Sequence, residues 1–225
     1  MFVVITSCSA NKDESVSIPA QSKIVEPSHY LDDKILLSKL SEIRKNIFED
    51  TRANIGQRTT YAFDLYVRAG KAYKDLLKSN YHQLKERLLR TNDIEWFFLS
   101  GGYGIIHALE KAKKYQATFN RSIACQRGIP YTADLWKSVL APICDTIFSK
   151  LRPVWVYVLG SRDYTQFVKE TNYWKRSSNI TMFESTGSTG SNWLSPILND
   201  LVSFILSNKV DDFNSKHEKI TKQEQ

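Results

Sequence analysis

Cysteine is scarce in this 225-residue chain, and the three that occur, Cys8, Cys125 and Cys144, are far apart. An odd number without a regular spacing argues against a disulfide framework, and a reducing cytoplasm is the compartment expected. The cysteines and the four histidines, His29, His82, His107 and His217, fall into no CxxC or HxxxH spacing. A structural zinc site would have to gather ligands from afar, so no metal is expected. Long apolar runs are also missing. No stretch approaches the roughly 18–20 apolar residues of a membrane span, and the opening MFVVITSCS is too short for a secretory segment and carries no basic start. The nine glycines spell neither a Walker A loop nor GxGxxG, which leaves NTPase and dinucleotide readings without support and no cofactor to expect. No internal repeat or interdomain linker is visible.

Positive charge is what the chain has in excess. Its 31 Lys and Arg against 24 Asp and Glu give +7, with an isoelectric point near 9.2. A basic balance suits a partner carrying phosphate, although a solvated basic surface would look the same in composition. Clustering separates the two. Residues 110–127, EKAKKYQATFNRSIACQR, place Lys111, Lys113, Lys114, Arg121 and Arg127 against the single acid Glu110, interleaved with Tyr115 and Phe119. These five cations are the candidate DNA-contacting set, a surface able to track phosphate. DNA is therefore the expected partner, a membrane is not, and a monomer is the simplest assembly.

Phe2–Thr6, Trp96–Leu99, Val154–Leu159 and Ile180–Phe183 are short β-branched and aromatic runs that read as buried strands. Between them lie helical spacings: Leu36, Leu40, Ile43 and Ile47, then Leu135, Val139, Ile143 and Ile147 after a Thr132 cap signal, with Pro142 expected to kink or split the second. Residues 51–61 read as a polar loop, and a last helix is expected from about Trp193 to Leu206. The pattern predicts one α/β domain over residues 1–208, a mostly parallel sheet flanked by helices on both faces, followed by a polar, frayed tail over 209–225.

The strands end alike. Phe2–Thr6 runs into Ser7-Cys8-Ser9-Ala10-Asn11-Lys12, Trp96–Leu99 into Ser100-Gly101-Gly102-Tyr103-Gly104, and Val154–Leu159 into Gly160-Ser161-Arg162-Asp163-Tyr164; a fourth end reads Ser185-Thr186-Gly187-Ser188. Ligands of open parallel sheets sit beyond the carboxyl ends of strands, and small residues there let a ligand reach backbone N–H groups. Tight strand-to-helix turns would use the same residues, Gly for positive φ and Ser as a cap.

Taken in order, VVITSCSANK, AFDLYVRAG, FFLSGGYGII, YTADLWKSVLAPI and VYVLGSRDYTQF resemble the YaaA family of bacterial peroxide-stress proteins and its smaller relatives near DNA-modification and defence genes, over roughly residues 1–170. Family members often carry Arg-Pro soon after the Tyr-Gly pair, where this chain has Ile105-Ile106-His107-Ala108. The resemblance implies a YaaA-like α/β domain and DNA binding tied to repair or stress, and it singles out the Asp of the Asp-x-Tyr segment, Asp64.

Three functions follow. The first is a DNA glycosylase that draws a damaged or modified nucleotide into a pocket and hydrolyses its N-glycosidic bond, in repair or defence. Asp64 would be its catalytic carboxylate and Asn11 the reader of the base edge. Ser7, Cys8, Ser9, Lys12, Tyr66, Ser100, Gly101, Gly102, Tyr103, Ser161 and Tyr164 would hold the substrate, with Tyr66 or Tyr103 as the stacking ring. The second is a non-catalytic nucleic-acid-binding protein, for which the basic stretch suffices. The third is an enzyme on free nucleotides, with the same loops and no need of a basic face. Cys8, between two serines, is also a candidate nucleophile.

Overall fold

A computed structural model describes residues 1–185 and 190–221, with the side chains of 190–192 and 217–221 left aside. All four expected strands form, each slightly longer than its apolar run: β1 (Phe2–Ser7), β3 (Ile94–Ser100), β6 (Trp155–Ser161) and β7 (Ile180–Ser185). Val3, Val4 and Ile5 in β1 and Trp96 to Leu99 in β3 are fully buried one after another rather than alternately. Continuous burial is what a central parallel strand covered on both faces requires.

A fifth strand, β4 (Gly104–His107), makes the sheet mixed. Its order is β4-β3-β1-β6-β7; β1, β3, β6 and β7 pair in parallel, and β4 runs antiparallel to β3 with Ser100 opposite Gly104. The apolar run broken by SGGYG is thus a hairpin with Gly101–Tyr103 at its tip. Gly104 closes the turn at φ +69°, a conformation that a side chain strains, and a Cβ there would enter the Trp136 ring. A separate antiparallel ribbon pairs β2 (Thr59–Tyr61) with β5 (Lys111–Lys113). The polar stretch 51–61 therefore holds a 3-10 turn, Thr51–Ala53, and a strand anchored by the buried Tyr61 ring.

From β1 the chain crosses to β3 on one side and returns to β6 on the other. Connections leaving β1 and β6 in opposite directions open a crevice between their carboxyl ends, the topological switch point of the sheet.

Helices flank this sheet. Lys34–Glu49 starts where Asp33 accepts from the N–H groups of Ile35 and Leu36 at 2.8 and 3.0 Å, and buries Leu40 and Ile47. The second helical pattern is divided, but before Pro142: Ala133–Trp136 ends, and Leu140–Leu151 begins with Pro142 in its first turn, where the missing N–H would lack a partner in any case. Thr132 holds the N-cap position of Ala133–Trp136, but its hydroxyl makes no capping bond and donates instead to the Gly101 carbonyl at 2.7 Å. The last expected helix runs Gly190–Leu206. Beyond it the supposed tail forms another, Val210–Thr221, because Val210 and Phe213 bury against the sheet side and the Tyr157 hydroxyl donates to Asn214 at 2.7 Å. Residues 186–189, the rest of the fourth strand end, lie outside the described residues.

Candidate functional site

A cavity of about 970 Å³ opens at the β1–β6 switch point. Its floor is the strand ends, Thr6 to Lys12 from β1 and Leu159 to Ser161 from β6. One wall is the chain from Lys114 to Arg127, and the opposite side holds Lys71 to Tyr73 with Leu194 and Leu198. The strand ends are fastened to each other: Ser7 Oγ accepts the Ser161 N–H at 3.3 Å, and the Cys8 N–H donates to the Leu99 carbonyl at 2.7 Å. Tyr73 donates to the Ser7 carbonyl from behind.

Four cations line the cavity, Lys12, Lys71, Lys114 and Arg127, against one carboxylate, Asp163. Among the described residues none of the four is in an ion pair. Lys12 is the least exposed of them. Its Nζ donates to the Ser9 carbonyl at 3.0 Å and stands 4.2 Å from the centre of the Tyr115 ring. Burial lowers its pKa; Cys8 opposes the shift, and the nearby charges of Lys114 and Arg127 add to it. Asp163 accepts from Asn120 Nδ2 at 2.6 Å, while Asn120 Oδ1 caps helix Arg121–Arg127 by accepting the Ile123 N–H at 2.9 Å. One amide thus fixes both a helix start and the carboxylate. The Tyr164 hydroxyl lies 3.3 Å from Thr118 Oγ1 and 3.8 Å from Cys8 Sγ, and burial raises its pKa, so it stays a neutral phenol.

Of the residues singled out in the sequence, Ser7, Cys8, Ser9, Asn11, Lys12, Ser161 and Tyr164 meet at this cavity, joined by Lys114 and Arg127 from the basic segment. A second group does not reach it. Ser100 is fully buried; its Oγ lies 2.5 Å from the Tyr115 hydroxyl and 3.2 Å from that of Tyr66, and it accepts the Tyr103 N–H at 3.0 Å. This cluster underlies Lys12 instead of facing a ligand. Gly101 and Gly102 are bare because the chain itself packs there: a Cβ on Gly101 would meet the Ala117–Thr118 backbone at 2.5–2.6 Å, and one on Gly102 the Tyr115 ring at 2.6 Å. Tyr103 is held under Arg44, which donates to its carbonyl at 2.9 Å.

Asp64 also lies elsewhere. It is fully buried in helix Ala62–Val67, paired with Lys85 Nζ at 2.7 and 2.9 Å and accepting from the Tyr81 hydroxyl. A carboxylate so enclosed has no face for substrate, and the acid at the cavity is Asp163. Tyr115 and Phe119, interleaved with the basic stretch, are core residues, whereas Lys111, Lys113 and Arg121 are exposed outside the cavity on the same segment as Lys114 and Arg127. Sequence reasoning missed Lys71, Tyr73, Thr118 and Asn120. Only Asn120 had a local signal, as an Asn preceding a helical stretch. No helix among the described residues is long and apolar enough to cross a membrane. The chain matches no family model, and no curated protein is similar to it in sequence.

Proposed function

We propose that this chain binds DNA and acts on one nucleotide unit drawn into the β1–β6 cavity, hydrolysing its N-glycosidic bond. The observation that carries the reading is the cavity's charge: four cations and one carboxylate around a space large enough for a nucleotide, with Lys111, Lys113 and Arg121 exposed on the chain segment that also supplies Lys114 and Arg127. Cations answer the phosphates, the apolar side chains Ile123, Ile129, Leu194 and Leu198 suit a base or sugar face, and Asn11 and Gln116 offer amides to a base edge. Asp163 takes the role first given to Asp64: a carboxylate beside a departing base stabilises cationic sugar character and orients water. Asn120 keeps it aimed.

The reading is tested by incubating the protein with duplex and single-stranded DNAs of different base content, unmodified and modified, and measuring released base and alkali-labile sites. Base release that falls by about 100-fold or more in Asp163→Asn supports it. Free nucleotides turned over while DNA is not would move the activity to the small-molecule class. Reversing Lys111 and Lys113 to Glu should lower DNA affinity and flatten its salt dependence without changing stability, since both side chains are exposed.

A further inference from the structure

We propose that Lys12 is a nucleophile that forms an imine with the C1′ aldehyde of an abasic deoxyribose, giving the cavity a strand-cleaving lyase activity beyond base removal. The inference rests on the proposed function for its substrate, and on the surroundings of one amine for its chemistry.

Lys12 differs from the other three cations of the cavity, which are exposed. It sits on the floor of the cavity, at the end of the central strand, with a backbone carbonyl as its hydrogen-bond acceptor and the face of Tyr115 beside it. Among the described residues no carboxylate forms an ion pair with it. The Ser9 carbonyl accepts one N–H and leaves the rest of the nitrogen free to face the cavity. The Tyr115 ring is itself fixed through its hydroxyl by Ser100 and Tyr66, so the amine is supported by a rigid layer. Burial and the charges of Lys114 and Arg127 favour the neutral amine, the form that attacks carbonyl carbon.

The step balances without an outside oxidant or reductant. The Lys12 Nζ lone pair forms a bond to C1′ of the ring-opened sugar, and the carbonyl oxygen leaves as water, taking up one proton from the amine and one from solvent. The resulting protonated imine acidifies C2′. A base removes that proton, for which Asp163 is the carboxylate at the cavity, and the C3′–O bond breaks with its electron pair leaving on the 3′-phosphate. Water then hydrolyses the imine, returning the Lys12 amine and an unsaturated aldehyde on the 5′ fragment.

Trapping tests this directly. Duplex DNA carrying one preformed abasic site is incubated with the full chain and sodium borohydride, which reduces an imine to a stable secondary amine. The adduct is digested and the modified lysine located by mass spectrometry. An adduct on Lys12, with at least 10-fold less trapping in Lys12→Met, is the expected result. Adduct spread over Lys71, Lys114 and surface lysines, or no adduct, overturns the proposal. Peptide mapping is done on the unaltered protein, so it decides the matter even if Lys12→Met folds poorly. Because the abasic site is supplied, the outcome is independent of base release: release without trapping sinks this inference alone, and trapping without release sinks only the glycosidic reading.

Discussion

Two strand ends of one sheet, each written in serine and glycine, have opposite fates. Beyond β3 the Ser100–Gly104 turn is closed, its glycines pressed against Ala117, Thr118, Tyr115 and Trp136 and its serine sealed between two phenols. Beyond β1 and β6, Ser7 to Lys12 and Ser161 to Tyr164 border open space. Composition does not separate the two, because bare backbone admits a ligand or another stretch of chain equally well. Topology does. β3 turns straight back into β4 and covers its own end, whereas β1 and β6 send their connections in opposite directions and leave a crevice.

The largest effect should come from forcing open the closed end. In Gly101→Val the new Cβ meets backbone atoms at 2.5–2.6 Å, which no rotamer can relieve. A loss of about 4 kcal/mol or more, or failure to fold, is expected from overpacking against main chain. Urea unfolding reads it. A stable variant that merely loses function would mean that this turn meets ligand after all.

Asp64→Asn comes next. Here, too, the closed side of the molecule is tested, since Asp64 is fully buried with Lys85 and Tyr81. The substitution keeps shape, removes charge, and leaves the Lys85 ammonium without its partner. Because Lys85 retains partial access to water, the cost should fall near the lower end for a broken buried pair, about 2–3 kcal/mol. The folded fraction should keep its activity. Activity lost with stability intact would return Asp64 to the chemistry.

These two cases show where sequence is legible. The four strands were visible because their apolar runs are uninterrupted, as buried parallel strands demand. Lys12 and Tyr164 could be found because each lies within a few residues of a strand end. The β4 turn-back was hidden: Gly104-Ile105-Ile106-His107 continues the apolar character of β3, and nothing local says that its direction reverses. The enclosure of Asp64 leaves no local signal because its partner Lys85 is 21 residues away, nor does the fixing of Asp163, because Asn120 is 43 residues away. The helix from Val210 reads as a tail in sequence because, among its described side chains, only Val210 and Phe213 are buried. Pairings made by tertiary folding leave no periodicity to read.

On the open side the same kind of substitution should cost less. A Cβ on Gly160 runs into Ser7 Oγ, the end of a short side chain that can rotate, rather than into main chain. Rotation gives up the bond that Ser7 accepts from the Ser161 N–H. Gly160→Ala should therefore cost about 1 kcal/mol, the scale of one hydrogen bond, measured by urea unfolding. Added Ser7→Ala should recover part of that loss, since the clash and the bond vanish together. A cost equal to that of Gly101→Val would erase the contrast between the two strand ends.

The smallest effect concerns how the open loop is held at its far end. Past Lys12, Asp13 accepts the Ser15 N–H at 2.8 Å and Arg68 Nε at 3.0 Å, and its own N–H donates to the Leu65 carbonyl at 3.0 Å. The Ser15 bonds, followed by Arg68, hold the Asp13 carboxyl down at about 2 against the opposing effect of burial. A carboxylate with a depressed pKa adds stability above its unfolded value, near 3.9, and loses it as pH falls through the folded value. Both side chains are partly exposed, at 27% and 35%, so screening should limit the contribution to under about 1 kcal/mol. The stability gap between the parent chain and Asp13→Asn should thus be flat above about pH 5 and close as pH falls from about 4 to about 2. Asn retains a carbonyl for the Ser15 N–H, so what closes is the charge-dependent part. A gap that persists undiminished at pH 2 would show that Asp13 holds the loop by shape, making the open strand end as rigidly packed as the closed one.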